Sequence, residues 1–344
     1  MRKPHILLGM PNHNKIYEIL LENLLLQQFE VTLILSNTIQ FHYPNKWEHI
    51  KTKFRQVILC DKFAKDKLLT KINRNHCLSA FEHNITFDYA LFIRGDLFHN
   101  DILKKAQENS LYGVYNYQWD GMNRYPNIWD KLGFINKIYA FDPTDIINHP
   151  TQLLPATNFY FDHPFPLHNK IEYDFYFLGS HITERTPAII SFIDYIRDKS
   201  LTYHFTLVCA NSTQFKKIQT LCQNRNINLE KESSTFSENL ELVKKAKILL
   251  DFKNDIHNGL SFRPFEALGY RKKLITTHVD IVKYDFYHPN NIFVWDGKTF
   301  DGIDEFLATP YHELAPEIYE KYSFSNWIRY ILNIEPHHKI ELPR

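Results

Sequence analysis

A chain of 344 residues, 44% hydrophobic and 23% charged, is long enough for two domains with their own cores and has the balance of an ordinary globular protein. Its formal charge of +1 leaves no footprint for bulk nucleic-acid binding, and no run approaches the roughly 18 apolar residues that span a bilayer. Cys60, Cys77, Cys209 and Cys222 show no C-x-x-C spacing, which speaks against a zinc site or disulfide framework and fits a reducing cytoplasm.

The start, MRKPHILLGMP, is too short an apolar run for a signal peptide and reads directly as a strand, His5–Met10. A polar loop follows, 11–14, with His13 at the strand's end and Asn14 placed to cap a helix. Ile16, Ile19, Leu20 and Leu24 then keep helical spacing, and Val31–Leu35 is the next strand. This β-α-β opening predicts a parallel, doubly wound sheet. Residues 61–74 form a basic helix with Phe63, Leu68, Leu69 and Ile72 as apolar positions. A membrane-surface or anionic-acceptor role competes there with a solvated helix on a core-facing stripe, and the pattern favours the second.

Tyr89–Ile93 is a strongly apolar strand followed at once by Arg94-Gly95-Asp96. Tyr112–Tyr117 ends in Gln118-Trp119-Asp120, and Lys137–Phe141 ends in Asp142. Three strands thus end in aspartates. One of them is a candidate catalytic base, with His13 as the other candidate; capping of helices and turns accounts for the remaining aspartates.

Residues 150–172 carry four prolines and no clean periodicity, which marks a linker. The expected domains are 1–155, a linker 156–172, a second domain 173–322, and a C-terminal helix and tail, 323–344, returning to the first domain. Tyr173–Leu178 opens the second series. Gly179-Ser180, Arg185 and a helix starting at Thr186-Pro187, read as N-cap and first-turn proline, make a phosphate cradle. Phe205–Cys209 is the next strand, and Thr235–Glu238 has capping-box spacing for a helix through Ala246.

Residues 248–278, ILLDFKNDIHNGLSFRPFEALGYRKKLITTH, read as strand, polar loop, helix Phe262–Gly269 and strand, with Gly269 suited to the helix C-terminus. The loop opens where α/β sheets bind ligands. Ile292–Trp295 is a last strand; 301–308 and 316–333 read as helical. The aromatic share of 15% reads chiefly as core filling. The chain has no G-x-G-x-x-G, no P-loop, no G-x-S-x-G, no H-E-x-x-H and no D-x-D.

YDFYFLGSHITER (173–185) and HNGLSFRPFEALGYRKKLITTH (257–278), with FDYALFIRGD (87–96) and YNYQWD (115–120) behind them, resemble bacterial glycosyltransferases of the GT-B fold, of the capsule, lipopolysaccharide and spore-coat biosynthesis type. The resemblance implies two Rossmann-like doubly wound domains facing across a cleft. It implies transfer from a nucleotide-sugar donor to a saccharide or lipid-linked saccharide hydroxyl, without a metal or other cofactor. The implied location is the cytoplasm, with peripheral contact at the inner membrane, and no nucleic-acid partner is implied. The donor site would hold the ribose on Glu266 and the diphosphate on Arg263, Arg185 and Ser180, with His257, Asn258, Gly259 and Ser261 completing it. Asp96, then His13, then Asp120 are the candidate bases. One departure stands out: in the family's E-x7-E pattern the earlier glutamate is here Asn258. A nucleotide-sugar epimerase on the same fold and a non-catalytic saccharide-binding assembly protein are the competing classes.

Overall fold

The computed structural model describes residues 2–37, 41–82, 85–163 and 170–343. The strands and helices, in chain order, are β1 (His5–Met10), α1 (Ile16–Leu26), β2 (Glu30–Leu35), α2 (Lys46–Val57), α3 (Ala64–Ser79), β3 (Tyr89–Ile93), α4 (Asn100–Glu108), β4 (Val114–Gln118), β5 (Lys137–Ala140), α5 (Pro143–Asn148) and β6 (Leu153–Pro155). They continue as β7 (Tyr173–Ser180), α6 (Thr186–Asp198), β8 (Tyr203–Val208), α7 (Ser212–Gln223), β9 (Asn228–Glu230), α8 (Phe236–Lys245), β10 (Ala246–Asp251), α9 (Phe262–Gly269), β11 (Lys273–Thr276), β12 (Ile292–Val294), α10 (Ile303–Ala308), α11 (Pro316–Lys321) and α12 (Phe324–Leu332). Two compact units result: 1–13 with 24–139, and 14–23 with 140–344. Of the expected linker, residues 164–169 lie outside the described residues.

The first sheet has six strands in the order β2-β1-β3-β4-β5-β6, and β1 pairs in parallel with both β2 and β3. Chain direction across the sheet reverses between β1 and β3. The second sheet has the order β12-β11-β10-β7-β8-β9. Counted from its own first strand, that is 3-2-1-4-5-6 read backwards, the order of the dinucleotide-binding fold. Its reversal lies between β7 and β10, which pair in parallel with Ile248 opposite Phe175. Both units are thus doubly wound α/β, as the opening β-α-β pattern predicts.

The second sheet is dry because its strand interiors carry almost nothing but large apolar residues. Phe175, Phe177, Phe205, Leu250 and Ile275 pack on Ile189, Phe192, Ile193 and Ile196 of α6 and on Trp295, all buried. Aromatics fill this core as expected: Phe192 meets Phe175 edge-on at 5.4 Å and Trp295 at 5.3 Å. The C-terminal helix α12 packs on the segment after the first sheet. Trp327 lies 4.5 Å from the Phe159 ring and donates its indole N–H to the Thr157 carbonyl, while the Tyr330 hydroxyl donates to the Pro155 carbonyl.

Several local expectations shift. Asn14 sits at φ 47°, in the left-handed region, and so cannot act as the extended N-cap of α1. The N-cap of α6 is Arg185, one residue before Thr186, whose hydroxyl donates back to the Ile182 carbonyl. Residues 316–333 form two helices broken at Tyr322-Ser323, with Ser323 capping the second. Phe63, expected on a core stripe, precedes α3 and is 66% exposed; Ala64, Leu68 and Cys77 are that helix's buried residues. Gly269 does not end α9 by a positive φ, which falls instead on Arg271. It is small because any Cβ there would land in the Tyr160 ring. The capping box at Thr235–Glu238 is present in both directions.

Candidate functional site

The carboxyl end of the second sheet gathers charge. β10 ends in Asp251, whose two carboxylate oxygens accept from the Ser261 and Thr276 hydroxyls at 2.9 Å each. Ser261 in turn is the N-cap of α9 and accepts from the Arg263 amide. One aspartate therefore pins the helix start to the ends of two neighbouring strands, so Ser261 is a structural cap and its hydroxyl is already engaged.

α9 carries Arg263 and Glu266. Pro264 through Gly269 are all buried, Glu266 to 2% exposure. Its Oε2 has no hydrogen-bond partner among the described residues; the nearest cation is Arg263, with Nε at 3.6 Å. Burial raises the Glu266 pKa above the ordinary carboxylate value, Arg263 opposing and Asp251 reinforcing the shift. The Arg263 guanidinium donates to the Leu178 carbonyl at 3.3 Å and lies 5.1 Å over the Tyr176 ring, leaving Nη1 buried and unpaired.

The loop after β7 meets the same strand ends. Arg185 donates to the Phe252 carbonyl at 2.8 Å and the Ser180 carbonyl at 2.7 Å, while its Nε is buried without a partner. Burial lowers its pKa against the pull of Asp251. The Ser180 side chain is exposed at the mouth of this loop. After β11, His278 bonds through Nε2 to the Asn258 carbonyl, and its Nδ1 is unpaired; burial lowers its pKa. As the Asn258 oxygen is an acceptor, Nε2 carries the proton and Nδ1 is a buried acceptor.

Five of the ten buried side-chain polar atoms without a hydrogen-bond partner among the described residues belong to His181, Arg185, Arg263, Glu266 and His278. All follow β7, β10 or β11, the strands that flank or adjoin the reversal point. Leaving such an atom unpaired costs about 1–3 kcal/mol, so the concentration in one place is a mark of polar recognition. Two guanidinium N–H groups and one carboxylate oxygen are the donor and acceptor types that a phosphate and a sugar hydroxyl require.

The 257–259 turn has a different job. The Asn258 amide donates to Asp142 Oδ2 at 2.8 Å, its side-chain amide to Thr144 Oγ1 at 3.0 Å, and Lys253 reaches its Oδ1. The His257 ring lies 4.9 Å edge-on to Phe141 with Nδ1 on the Gly259 carbonyl. A Cβ on Gly259 would approach the Phe141 carbonyl oxygen to 2.6 Å. These three residues clamp the loop onto the start of α5, where Asp142 is also the N-cap.

In the first unit, β3 and β4 deliver a buried ion network. Arg94, at φ 63° and 5% exposure, meets Asp96 in a bidentate pair of 2.7 and 2.8 Å and Asp120 at 2.8 Å, with its guanidinium 3.4 Å over the Tyr125 ring. Gln118 adds a donor to Asp96 and Arg124 one to Asp120. Asn116 accepts from the Gly95 amide at 2.7 Å. Both candidate carboxylates are thus committed to arginines. His13, edge-on to Trp119 at 6.3 Å, has its pKa lowered by burial, with Asp120 pulling up and Arg94 down.

Asp251, His278, Tyr176, Asn116, Gln118 and Tyr125 were not singled out from sequence. A usable signal existed for Asp251 and His278: each lies at or within two residues of the carboxyl end of a buried strand, as Asp96 and Asp120 lie within three residues of theirs.

No protein-family model and no curated protein matches the sequence. Solved structures similar to it include a glycosyltransferase involved in avilamycin A biosynthesis, at 8% identity and a TM-score of 0.49 over 96% of this chain and 92% of that one. The UDP-GlcNAc 2-epimerase of Neisseria meningitidis, bound to UDP-GlcNAc, is 12% identical with a TM-score of 0.48 over 96% and 99%. The UDP-GlcNAc 2-epimerase of Methanocaldococcus jannaschii, in complex with UDP-GlcNAc and UDP, is 15% identical with a TM-score of 0.46 over 90% and 95%.

Proposed function

We propose that the chain is a metal-independent glycosyltransferase whose second unit binds a nucleotide-sugar. The observation that carries this reading is the set of buried, unpaired groups on Arg185, Arg263 and Glu266 beside the reversal point of a sheet with dinucleotide-fold strand order. Glu266 accepts from the ribose hydroxyls. Arg263 and Arg185 face the diphosphate, with the α9 N-terminus adding positive potential. Charge that builds on the leaving diphosphate in an oxocarbenium-like transition state falls on these cations, which take the part a divalent metal plays elsewhere.

The acceptor, from the resemblance, is a hydroxyl of a bacterial surface saccharide, free or lipid-linked. For an inverting transfer the base must be unprotonated at working pH. His13 suits that role better than Asp96 or Asp120, because burial keeps its imidazole neutral while Arg94 occupies both carboxylates.

The test is titration of uridine, guanosine, adenosine and cytidine diphosphates in the presence of EDTA. One of them should bind, and Glu266→Ala and Arg263→Ala should each weaken it by about tenfold or more, the loss of a charge-assisted hydrogen bond. Unchanged affinity in both variants sinks the assignment. Incubating the preferred nucleotide-sugar without acceptor separates the two chemistries: hydrolysis or an unchanged sugar fits transfer, whereas an epimerised sugar identifies an epimerase.

A further inference from the structure

Helix α2 buries only Thr52 among its twelve residues. Trp47 is 80% exposed, Ile50 59%, Phe54 54% and Val57 71%, and the exposed apolar run continues through Ile58, Leu59 and Phe63. At 3.6 residues per turn, positions 47, 50, 54, 57 and 58 fall within an arc of about 100° on the side opposite Thr52. Lys51 edges that arc on one side, Lys46 and Lys53 on the other. Isolated exposed apolar residues are ordinary; a contiguous stripe of this size on one helix is not.

Charge names the occupant. Residues 46–67 hold seven basic against three acidic side chains, a net of +4 on a chain whose formal charge is +1. Asp61 is taken by Arg55 and Lys67, and Glu48 by Lys71. Lys46, Lys51, Lys53 and Lys62 form no ion pair among the described residues. An apolar stripe with an aromatic at its start and unpaired lysines along both edges is the pattern of a helix lying in a lipid interface, apolar face down and lysines at anionic headgroups. No described helix is long and apolar enough to cross a membrane.

We infer that α2, with Ile58, Leu59 and Phe63, is a docking surface for an anionic lipid bilayer. This interface needs nothing from the Arg185–Arg263–Glu266 cluster, so it stands or falls separately from the nucleotide-sugar reading. The experiment is flotation of the full chain with vesicles of phosphatidylcholine alone and of phosphatidylcholine with phosphatidylglycerol. The chain should float with the anionic vesicles, at least tenfold better than with neutral ones, and lose that binding as salt rises. Lys46→Glu/Lys51→Glu/Lys53→Glu should lower it by on the order of 100-fold or more, at roughly fivefold per charge removed. Trp47→Ser/Phe54→Ser should abolish it with thermal stability unchanged, since both side chains are exposed. No flotation, equal flotation with both vesicles, or indifference to either set of substitutions overturns the proposal. So does a stable dimer of the wild-type chain that Trp47→Ser/Phe54→Ser dissociates, because a second copy would then be the occupant.

Discussion

Glu266 is a carboxylate almost wholly out of water, with an arginine nitrogen at 3.6 Å as its main compensation. Its folded pKa is raised, so between the unfolded value near 4.5 and the folded value the native state holds the extra proton. Stability from this group is therefore greatest at low pH and falls as pH rises through that window. Urea unfolding from pH 4 upward should show this decline in the wild type and a flatter profile in Glu266→Gln; identical profiles would contradict it. Ribose hydroxyls favour the ionised form, so nucleoside diphosphate affinity should rise with pH through the same window. His13 offers a contrasting case. His13→Gln should lower turnover by about 10²–10⁴-fold with nucleotide affinity unchanged, and the wild-type rate should hold to below pH 6.5 because burial depresses the imidazole pKa. Asp96→Asn is expected to act on the fold: Arg94 loses a buried bidentate partner, at a cost of about 3 kcal/mol or more. A variant with unchanged melting temperature would show that Asp96 is not a structural partner of Arg94.

Elements were legible where pattern and environment agree. β3, β1 and α9 match their expected bounds because each is a short apolar run or helix face ended by a clear stop: Arg94 after β3, Pro11 after β1 and Gly269 in α9. α2 is not among the expected elements; its apolar positions 47, 50, 54 and 57 are written in the sequence, but only the structure shows that they face outward and that the helix buries Thr52 alone. The roles of His257 and Asn258 were equally invisible, since they depend on Phe141, Asp142 and Thr144, over a hundred residues away in sequence. Gly269 shows how a correct position carried the wrong reason; the glycine is needed for Tyr160, not for a left-handed cap. Gly269→Ala should accordingly lower stability by about 1–3 kcal/mol or more through overpacking. A melting temperature equal to wild type would mean the ring moves aside freely.

At the scale of the whole chain, two doubly wound sheets each place their polar side chains beside a reversal point: His13 and Arg94 to Asp96 after β1 and β3, Arg185, Arg263 and Glu266 after β7 and β10. Repeated strand–helix alternation made the fold class readable without alignment, and the ends of buried strands pointed to most of the charged residues. Which of those residues keep a buried polar atom without a hydrogen-bond partner depends on tertiary contacts alone, and that distinction separates Arg185, Arg263 and Glu266 from Asp96, Asp120, Ser261 and Asn258. The central claim is that Arg185, Arg263 and Glu266 hold a nucleoside diphosphate without a metal. Calorimetric titration of the preferred diphosphate in EDTA, on the wild type and on Arg263→Ala/Glu266→Ala, tests it most directly. Saturable binding to the wild type that disappears in the double variant is the predicted result; no binding of any nucleoside diphosphate, or equal binding to both proteins, would contradict it.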